Sequence, residues 1–384
     1  MLQSRRIYLP PLSLIGPGSL KDLGEELKEL PYKKALFVTD KVLVDIGIAQ
    51  KVMDAFSESD LEMVVFDNVQ PNPTVKNVNN GLKLLKENDC DVIITLGGGS
   101  PQDCGKAIGI LATNGGEIND YDGINKSKKV SLPIIAINTT AGTASEVTIN
   151  YVITDVERHI KMVMVDKNCL VSIAVNDPEL MLGKPASLTA ATGMDALTHA
   201  IESYVCTGAF HWSDALALEA IKLIASSLEE AVNNGGNLEA RSKMAWGQFI
   251  AGQSFSNAGL GFVHSLAHQL GGMYDMPHGV ANAILLPHVE RFNLPNCTHK
   301  LKKVARAMGV EVNDKNDLEG ANAAIKAIEK LSKAVGIPSG LKELGVKEDD
   351  FKIMAEHALN DVCTGGNPRT VTVEDAMAIY KAAM

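Results

Sequence analysis

Residues 91–116, DVIITLGGGSPQDCGKAIGILATNGG, decide the fold of the first half of this chain. Val92 to Leu96 is a run of apolar and β-branched residues of the kind that forms a buried strand. It ends in three glycines, and a helical stretch follows them at once. Ser100 is placed to cap that helix, Pro101 suits its first turn, and Asp103 stands three residues after the cap. A helix N-terminus beside a glycine turn offers unpaired N–H groups that attract a pyrophosphate. Gly-rich strand-to-helix turns are also ordinary structural devices. GGGS is not GxGxxG, and no acid about 20 residues downstream clearly ends a following strand. The stretch therefore leaves phosphate binding and plain turn chemistry both open.

Working outward, the same strand-then-helix alternation recurs. KKALFVTD (33–40), EMVVFDN (62–68), PIIAINTT (133–140) and KMVMVD (161–166) are β-rich, and AQKVMDAFSES (49–59) and NNGLKLLKEND (79–89) between them have helical periodicity. Repeated strand, helix, strand predicts a mostly parallel sheet wrapped by helices. The pattern changes once, near residue 180. Beyond it run amphipathic Ala/Leu/Glu/Lys-rich segments: 213–234, 239–255, 319–336 and 372–384. The expectation is an α/β domain over residues 1–183 and an all-α domain over residues 184–384, with a ligand in the crevice between the two halves.

Composition removes other classes. The 384 residues, 46% hydrophobic and 21% charged, can fill two cores, and no low-complexity tract interrupts them. The formal net charge of -10 has no basic run to neutralise a phosphate backbone, so nucleic acid is not an expected partner. The N-terminus lacks a signal-peptide core, and no apolar stretch is long enough to span a membrane. A soluble cytoplasmic protein with no membrane partner is expected. Its six cysteines (90, 104, 169, 206, 297 and 363), in no CxxC pair, should be reduced thiols.

Two more strand ends carry ligand chemistry. ALFVTD ends at Asp40, whose carboxylate could accept from both ribose hydroxyls of a dinucleotide and repel a 2′-phosphate; equally, it could cap the helix that follows. PIIAINTTAGTASEVT (133–148) gathers Thr139, Thr140, Thr143 and Thr148 around Gly142, hydroxyls and N–H groups that suit a sugar phosphate.

In the second half ATGMDALTHAIESY (191–204) places Asp195 and His199 one helical turn apart. Such a pair can be a surface interaction, a cap or two ligands of one ion. NAGLGFVHSLAHQLGGMYDMPHG (257–279) adds His264 and His268, again one turn apart, and His278 after a proline at a helix start. A lone histidine in an apolar stripe is more often a hydrogen-bonded core residue. Three within this stretch, beside Asp195 and His199, point to a metal, and one carboxylate with several imidazoles and no thiolate suits Fe(II), Zn(II), Mn(II) or Co(II) rather than Mg or Ca.

These residues carry a resemblance. Through PNPT (71–74), GGGSPQDCGKAIGI (97–110), NTTAGTASEVT (138–148), LTAATGMDALTHAIE (188–202), VHSLAHQLGG (263–272) and PHGVANAILLPHV (277–289), the chain resembles the iron-containing (group III) alcohol dehydrogenase family from end to end. TINYVITD (148–155), GQFIAGQSFSNAGLGFVHS (247–265) and GAFHWSDALALEAI (208–221) look most like the members that interconvert lactaldehyde and 1,2-propanediol. The resemblance implies a dehydroquinate synthase-like architecture and a metal, Fe(II) with Zn(II) as a possible substitute, held by Asp195, His199, His264 and His278. Spacing could not choose between His264 and His268 as ligand; the resemblance chooses His264 and leaves His268 near the substrate as a proton-relay or positioning group. It places NAD(H) against Asp40, Asn72, Gly98, Gly99, Ser100, Asp103, Thr139, Thr140, Thr143, Thr148, Lys161 and Leu180, with Asp103 also counted as catalytic. Asn150, Phe255 and Cys363 match substrate-pocket positions, Cys363 having a packed free thiol as its plain alternative.

The implied reaction passes a hydride between the carbinol carbon of a short alcohol and nicotinamide C4, the metal stabilising the alkoxide. Lactaldehyde and 1,2-propanediol come first as substrates, then 1,3-propanediol, ethanol or butanol. A homodimer or larger homo-oligomer is expected. Two rivals are a dehydroquinate synthase-like lyase, which would need a Lys/Arg phosphate cluster that the 195 and 264 regions lack, and a protein that has lost its chemistry, which predicts broken ligand positions.

Overall fold

Strands buried on both faces have no reason to alternate polar and apolar residues, and that is what the central strands of this protein show. The computed structural model describes residues 4–158 and 160–384, so the first three residues of the expected α/β span, and residue 159, lie outside the described residues. The strands are β1 (Leu12–Ile15), β2 (Lys34–Val38), β3 (Glu62–Phe66), β4 (Val92–Gly97), β5 (Gly123–Ile124), β6 (Ile134–Asn138), β7 (Asn150–Asp155), β8 (Ile160–Val165) and β9 (Ile173–Asn176). β4, β6 and β9 are buried at every position, whereas β1 and β3, at the edges, are partly exposed. Six of them form one sheet in the order β1-β9-β6-β4-β2-β3, and every pairing in it is parallel.

One expected member of this sheet is elsewhere. KMVMVD lies in β8, which pairs antiparallel with β7 in a separate three-stranded sheet, β5-β8-β7. The burial of β7 and β8 alternates, with Tyr151, Ile153, Met162 and Met164 inside. That period of two marks a sheet with one covered face, unlike the continuous burial of β4. In the six-stranded sheet, β1 and β9 carry no clear strand signal in the sequence, because four residues give periodicity too little to work on.

The chain separates into two compact units. One takes in the residues up to Thr140 together with Ala144–Met181, the other Ala141–Thr143 and Leu182–Met384. In the first, Leu36 and Ile93 on the sheet are sealed from solvent, and Leu23, Phe37, Val52, Ile94, Ile137 and Val175 join helix and strand in one apolar cluster. The second is helical: Ala186–Val205, His211–Asn233, Leu238–Ala258, Phe262–Tyr274, His278–Ala307, Asp317–Ala334, Phe351–Leu359 and Val373–Ala382. The His278–Ala307 span contains Pro287 and Pro295 and breaks at Cys297, where φ is -142°. No helix among the described residues is long and apolar enough to cross a membrane.

Candidate metal centre and cofactor site

The 186–205 helix is buried along almost its whole length, so its polar residues sit in the core because something there answers them. Asp195, His199 and Glu202 fall at i, i+4 and i+7, on one face, and are 2%, 4% and 1% exposed. The Phe262–Tyr274 helix brings His264 and His268, and the His278–Ala307 helix starts with His278. The Nε2 atoms of His199 and His264 each lie 4.0 Å from Asp195 Oδ1, and that of His278 lies 3.7 Å away. Ligands about 2.1 Å from an ion stand at most about 4.2 Å apart, so these separations fit one shared cation. Asp195, His199 and His264 each offer a ligand atom within 4.8 Å of the others. His278 meets the group through Asp195.

Chemistry favours the same occupant. Burial pushes the His199 imidazole down to about 4, against the pull of the Asp195 charge, and pushes His264 down to about 3. Both rings are therefore neutral at pH 7, the state a metal ligand requires. Glu202 accepts from His264 Nδ1 at 2.5 Å, fixing the tautomer that points Nε2 at Asp195. Burial pushes the Glu202 carboxyl up to about 7, with the Val263 N–H, 2.6 Å away, pulling it back. The Asn282 amide nitrogen lies 2.7 Å from Asp195 Oδ1 and 3.2 and 3.1 Å from the Nε2 atoms of His264 and His278. Two amide hydrogens cannot serve three acceptors. Asn282 Oδ1, on the other side, is buried with no partner. A cation would answer all three acceptors, so the donor set fits one.

Close backbone approach makes this possible. A Cβ at Gly279 would come 2.2 Å from the Ala191 oxygen and 3.3 Å from Asp195 Cβ. Only glycine lets the start of the His278 helix lie against the Asp195 helix. Gly279→Ala is expected to force the two apart, lowering Tm by roughly 5 °C and weakening metal retention; thermal unfolding and metal content that both stay at wild-type levels would refute this.

Around the cluster, Phe255 stacks on His199 with ring centroids 4.3 Å apart, and His268 stacks on His278 at 5.4 Å. Cys363 donates its N–H to Asp361 Oδ1 at 2.9 Å. Glu202, Asn282 and Asp361 were not picked out from the sequence. The first two had a signal there, since Glu202 continues the Asp195–His199 face and Asn282 follows His278 by one turn.

In the α/β unit the glycine turn differs in detail from expectation. The Gly99–Asn114 helix is capped by Gly98, not Ser100, and no side chain caps it. A Cβ at Gly97, whose φ is +149°, would meet Pro101 at 2.6 Å, which explains the glycine there. Asp103 does not turn back on the helix start; it accepts from Ser145 Oγ at 2.7 Å and Val152 N–H at 3.0 Å. Burial holds its carboxyl above the usual range, with the Lys106 ammonium opposing. Asp40 caps the Lys41–Asp45 helix by accepting from Leu43 N–H at 2.9 Å, while Oδ2 has no partner among the described residues.

The threonines are partly committed to the fold. Thr140 Oγ1 donates to Asn138 Oδ1, and Thr148 Oγ1 is held between Lys106 Nζ and the Ser145 carbonyl. Thr139 donates its N–H to Gly97 O beside the turn. Thr143 lies in the short segment grouped with the helical unit, where Gly142 packs on Thr192. Asn72, with φ 56°, accepts from Lys161 Nζ at 2.7 Å, so these two are joined. Leu180 is buried in a 3-10 turn. Asn150 gives its carbonyl to Lys106 Nζ, and its Oδ1 is buried without a partner.

A parallel-sheet half with an uncapped helix N-terminus and a helical half with a carboxylate–imidazole cluster suit a metal-dependent enzyme, and comparison with known proteins makes the class an alcohol oxidoreductase. Residues 10–178 match the family model for iron-containing alcohol dehydrogenase, and residues 189–384 match that for the Fe-containing alcohol dehydrogenase family, C-terminal. The chain belongs to the iron-containing alcohol dehydrogenase family. It is 49% identical over 377 residues to 1,3-propanediol dehydrogenase of Klebsiella pneumoniae, covering 98% of this chain and 97% of that one. It is 47% identical over 382 residues to lactaldehyde reductase of Escherichia coli K12, covering 99% and 100%. A crystal structure of 1,3-propanediol oxidoreductase superposes with TM-score 0.97 at 48% identity, covering both chains in full. The family match sets the lyase reading aside.

Proposed function

We propose that this enzyme is an NAD(H)- and iron-dependent reductase of short aldehydes, running also as the reverse alcohol oxidation, with lactaldehyde and 1,2-propanediol as its preferred pair. The observation that carries the reading is the convergence of Asp195, His199, His264 and His278, with the Asn282 amide short of hydrogens among them. Bound iron would supply Lewis-acid polarisation of the substrate oxygen, and bound NAD the hydride acceptor. The set holds one carboxylate beside three imidazoles, so a bound dication would keep net positive charge toward a substrate oxygen. Zinc suits the same donors.

The protein's own residues do the rest. Phe255, stacked on His199, gives an apolar wall that excludes water and favours short chains. His268, stacked on His278, would take the hydroxyl proton in oxidation and return it in reduction. Asn150, whose Oδ1 is buried without a partner, belongs to the same proposal as a substrate-pocket residue. The dinucleotide reading rests on the uncapped helix start at Gly98, Gly99 and Ser100, with Thr139 and Thr140 beside it, and on the Asp40 Oδ2 left for a ribose. Asp103, Asn72, Lys161, Thr143, Thr148, Leu180 and Cys363 belong to the same proposal, as do a homodimeric or larger assembly, a cytoplasmic location and an α/β domain ending at residue 183.

Identities of 49% and 47% to the propanediol and lactaldehyde enzymes do not separate their substrates. Metal analysis of the purified protein with NADH oxidation across lactaldehyde, 3-hydroxypropanal, acetaldehyde and butanal separates them. The expected result is about one iron per chain and kcat/KM highest for lactaldehyde, by about tenfold. A maximum at 3-hydroxypropanal, or at acetaldehyde or butanal, would move the assignment to 1,3-propanediol or to ethanol and butanol. No turnover of any of them would end the proposal.

A further inference from the structure

The histidine left outside the metal set has a carboxylate of its own. His268 Nδ1 lies 2.7 Å from Asp361 Oδ2, and Asp361 Oδ1 accepts the Cys363 N–H at 2.9 Å. The carboxylate is thus engaged at both oxygens, and the ring is engaged at one nitrogen. His268 Nε2, at the opposite edge, has no hydrogen-bond partner among the described residues. The segment carrying Asp361 is itself fastened to the helix carrying His268. Thr364 Oγ1 bonds Ser265 Oγ at 2.7 Å and donates to the Ala358 carbonyl at 2.6 Å, and Asn367 Oδ1 accepts from Phe262 N–H. Two residues 93 apart in sequence are therefore held in register by a rigid turn.

We propose that Asp361 is a positioning residue: by accepting from Nδ1–H it fixes His268 in one tautomer and orientation, leaving the Nε2 lone pair free to meet the substrate oxygen. An imidazole can serve as proton acceptor only at the nitrogen that carries no hydrogen, and the partner of the other nitrogen decides which that is. Burial works against ionisation of Asp361, but the His268 contact and the Cys363 N–H prevail and hold its carboxyl below the usual range. It is then an acceptor only, and cannot feed a proton to Nδ1. The stacking of His268 on His278 and its edge contact with His264, centroids 6.1 Å apart, orient the plane of the ring; Asp361 sets its rotation and hydrogen.

The inference rests on the proton-relay role given to His268 above, and the test keeps the two apart. In holoenzyme labelled with ¹⁵N-histidine, the His268 resonance, identified by its loss in His268→Ala, is expected to report the Nδ1–H tautomer. Asp361→Asn is expected to mix the tautomers and lower kcat about a hundredfold, with KM for NAD and metal content held within about twofold. Asp361→Glu should recover part of that loss. In a His268→Ala background, Asp361→Asn should cost nothing further, because it acts through His268. A wild-type Nε2–H tautomer, an unchanged kcat, or a loss that adds in full to that of His268→Ala would each overturn the proposal. If Asp361→Asn does not fold, the wild-type tautomer and Asp361→Glu still decide it. Failure of the relay reading looks different: His268→Ala would then keep full kcat whatever the tautomer.

Discussion

His264→Ala should strip the enzyme of its metal and lower alcohol oxidation by more than about a thousandfold, while NAD affinity stays within about twofold. The argument is one of completeness. His264 Nε2 and His199 Nε2 stand at equal 4.0 Å separations from Asp195 Oδ1, and the two rings stack with centroids 4.6 Å apart, so losing one opens the set at its most buried point. The substitution also strands Glu202, whose carboxyl would be left in the core without its imidazole. Oε1 would keep the Val263 N–H but Oε2 would lose its donor, and a buried carboxyl short of donors avoids that cost by staying protonated. No carboxylate would then stand ready to orient a replacement ligand. The measurement is metal content by elemental analysis beside NAD reduction with 1,2-propanediol, and NAD binding by titration. Stoichiometric metal with wild-type kcat would end the assignment of His264. If NAD binding also disappeared, the fold would be at fault rather than the site.

Periodicity makes most of this architecture legible in the sequence. The long buried runs at β4 and β6 and the amphipathic helices beyond residue 180 each present one repeated signal. β7 and β8 were harder, because KMVMVD is as apolar as a parallel strand and only its alternating burial distinguishes it. The cap at the glycine turn was misplaced because Ser100 is a good cap by type, yet the backbone already enters the helix at Gly99. Among site residues, those one or two turns from a marked neighbour were within reach of helical arithmetic, which is why Glu202 and Asn282 are visible in hindsight. Asp361 was not. Its partner lies in another helix, and no local rule connects positions brought together only by the folding of the turn at 361–367. The threonines show how one hydroxyl can carry two meanings in a sequence. Several hydroxyls that look like ligand donors are spent on the strand ends that hold them, Thr148 on Lys106 above all.

Asp40→Asn should raise kcat/KM for NADP about 10- to 100-fold without lowering Tm, and this variant separates two roles that one carboxylate now combines. The structure shows the first role directly: Oδ1 accepts from Leu43 N–H and caps the short helix that follows β2. Asparagine keeps an acceptor there, whereas Asp40→Ala would lose it at about 1 kcal/mol. The second role is proposed, and belongs to Oδ2, which no described residue engages. A negative charge about 4 Å from a 2′-phosphate would oppose it by up to about 4 kcal/mol in a medium of effective dielectric 20. Asp40 is only half-buried, so water and salt reduce that, and a change of 10- to 100-fold, about 1.4 to 2.7 kcal/mol, is what should survive. The gain should shrink as ionic strength rises, because the repulsion removed is screened. NAD itself should bind somewhat less well, since an amide accepts more weakly than a carboxylate from ribose hydroxyls. Kinetics with both cofactors at two salt concentrations, beside thermal unfolding, check each part. An unchanged NADP to NAD ratio in Asp40→Asn and Asp40→Ala alike would reduce Asp40 to a helix cap and remove the carboxylate from cofactor choice.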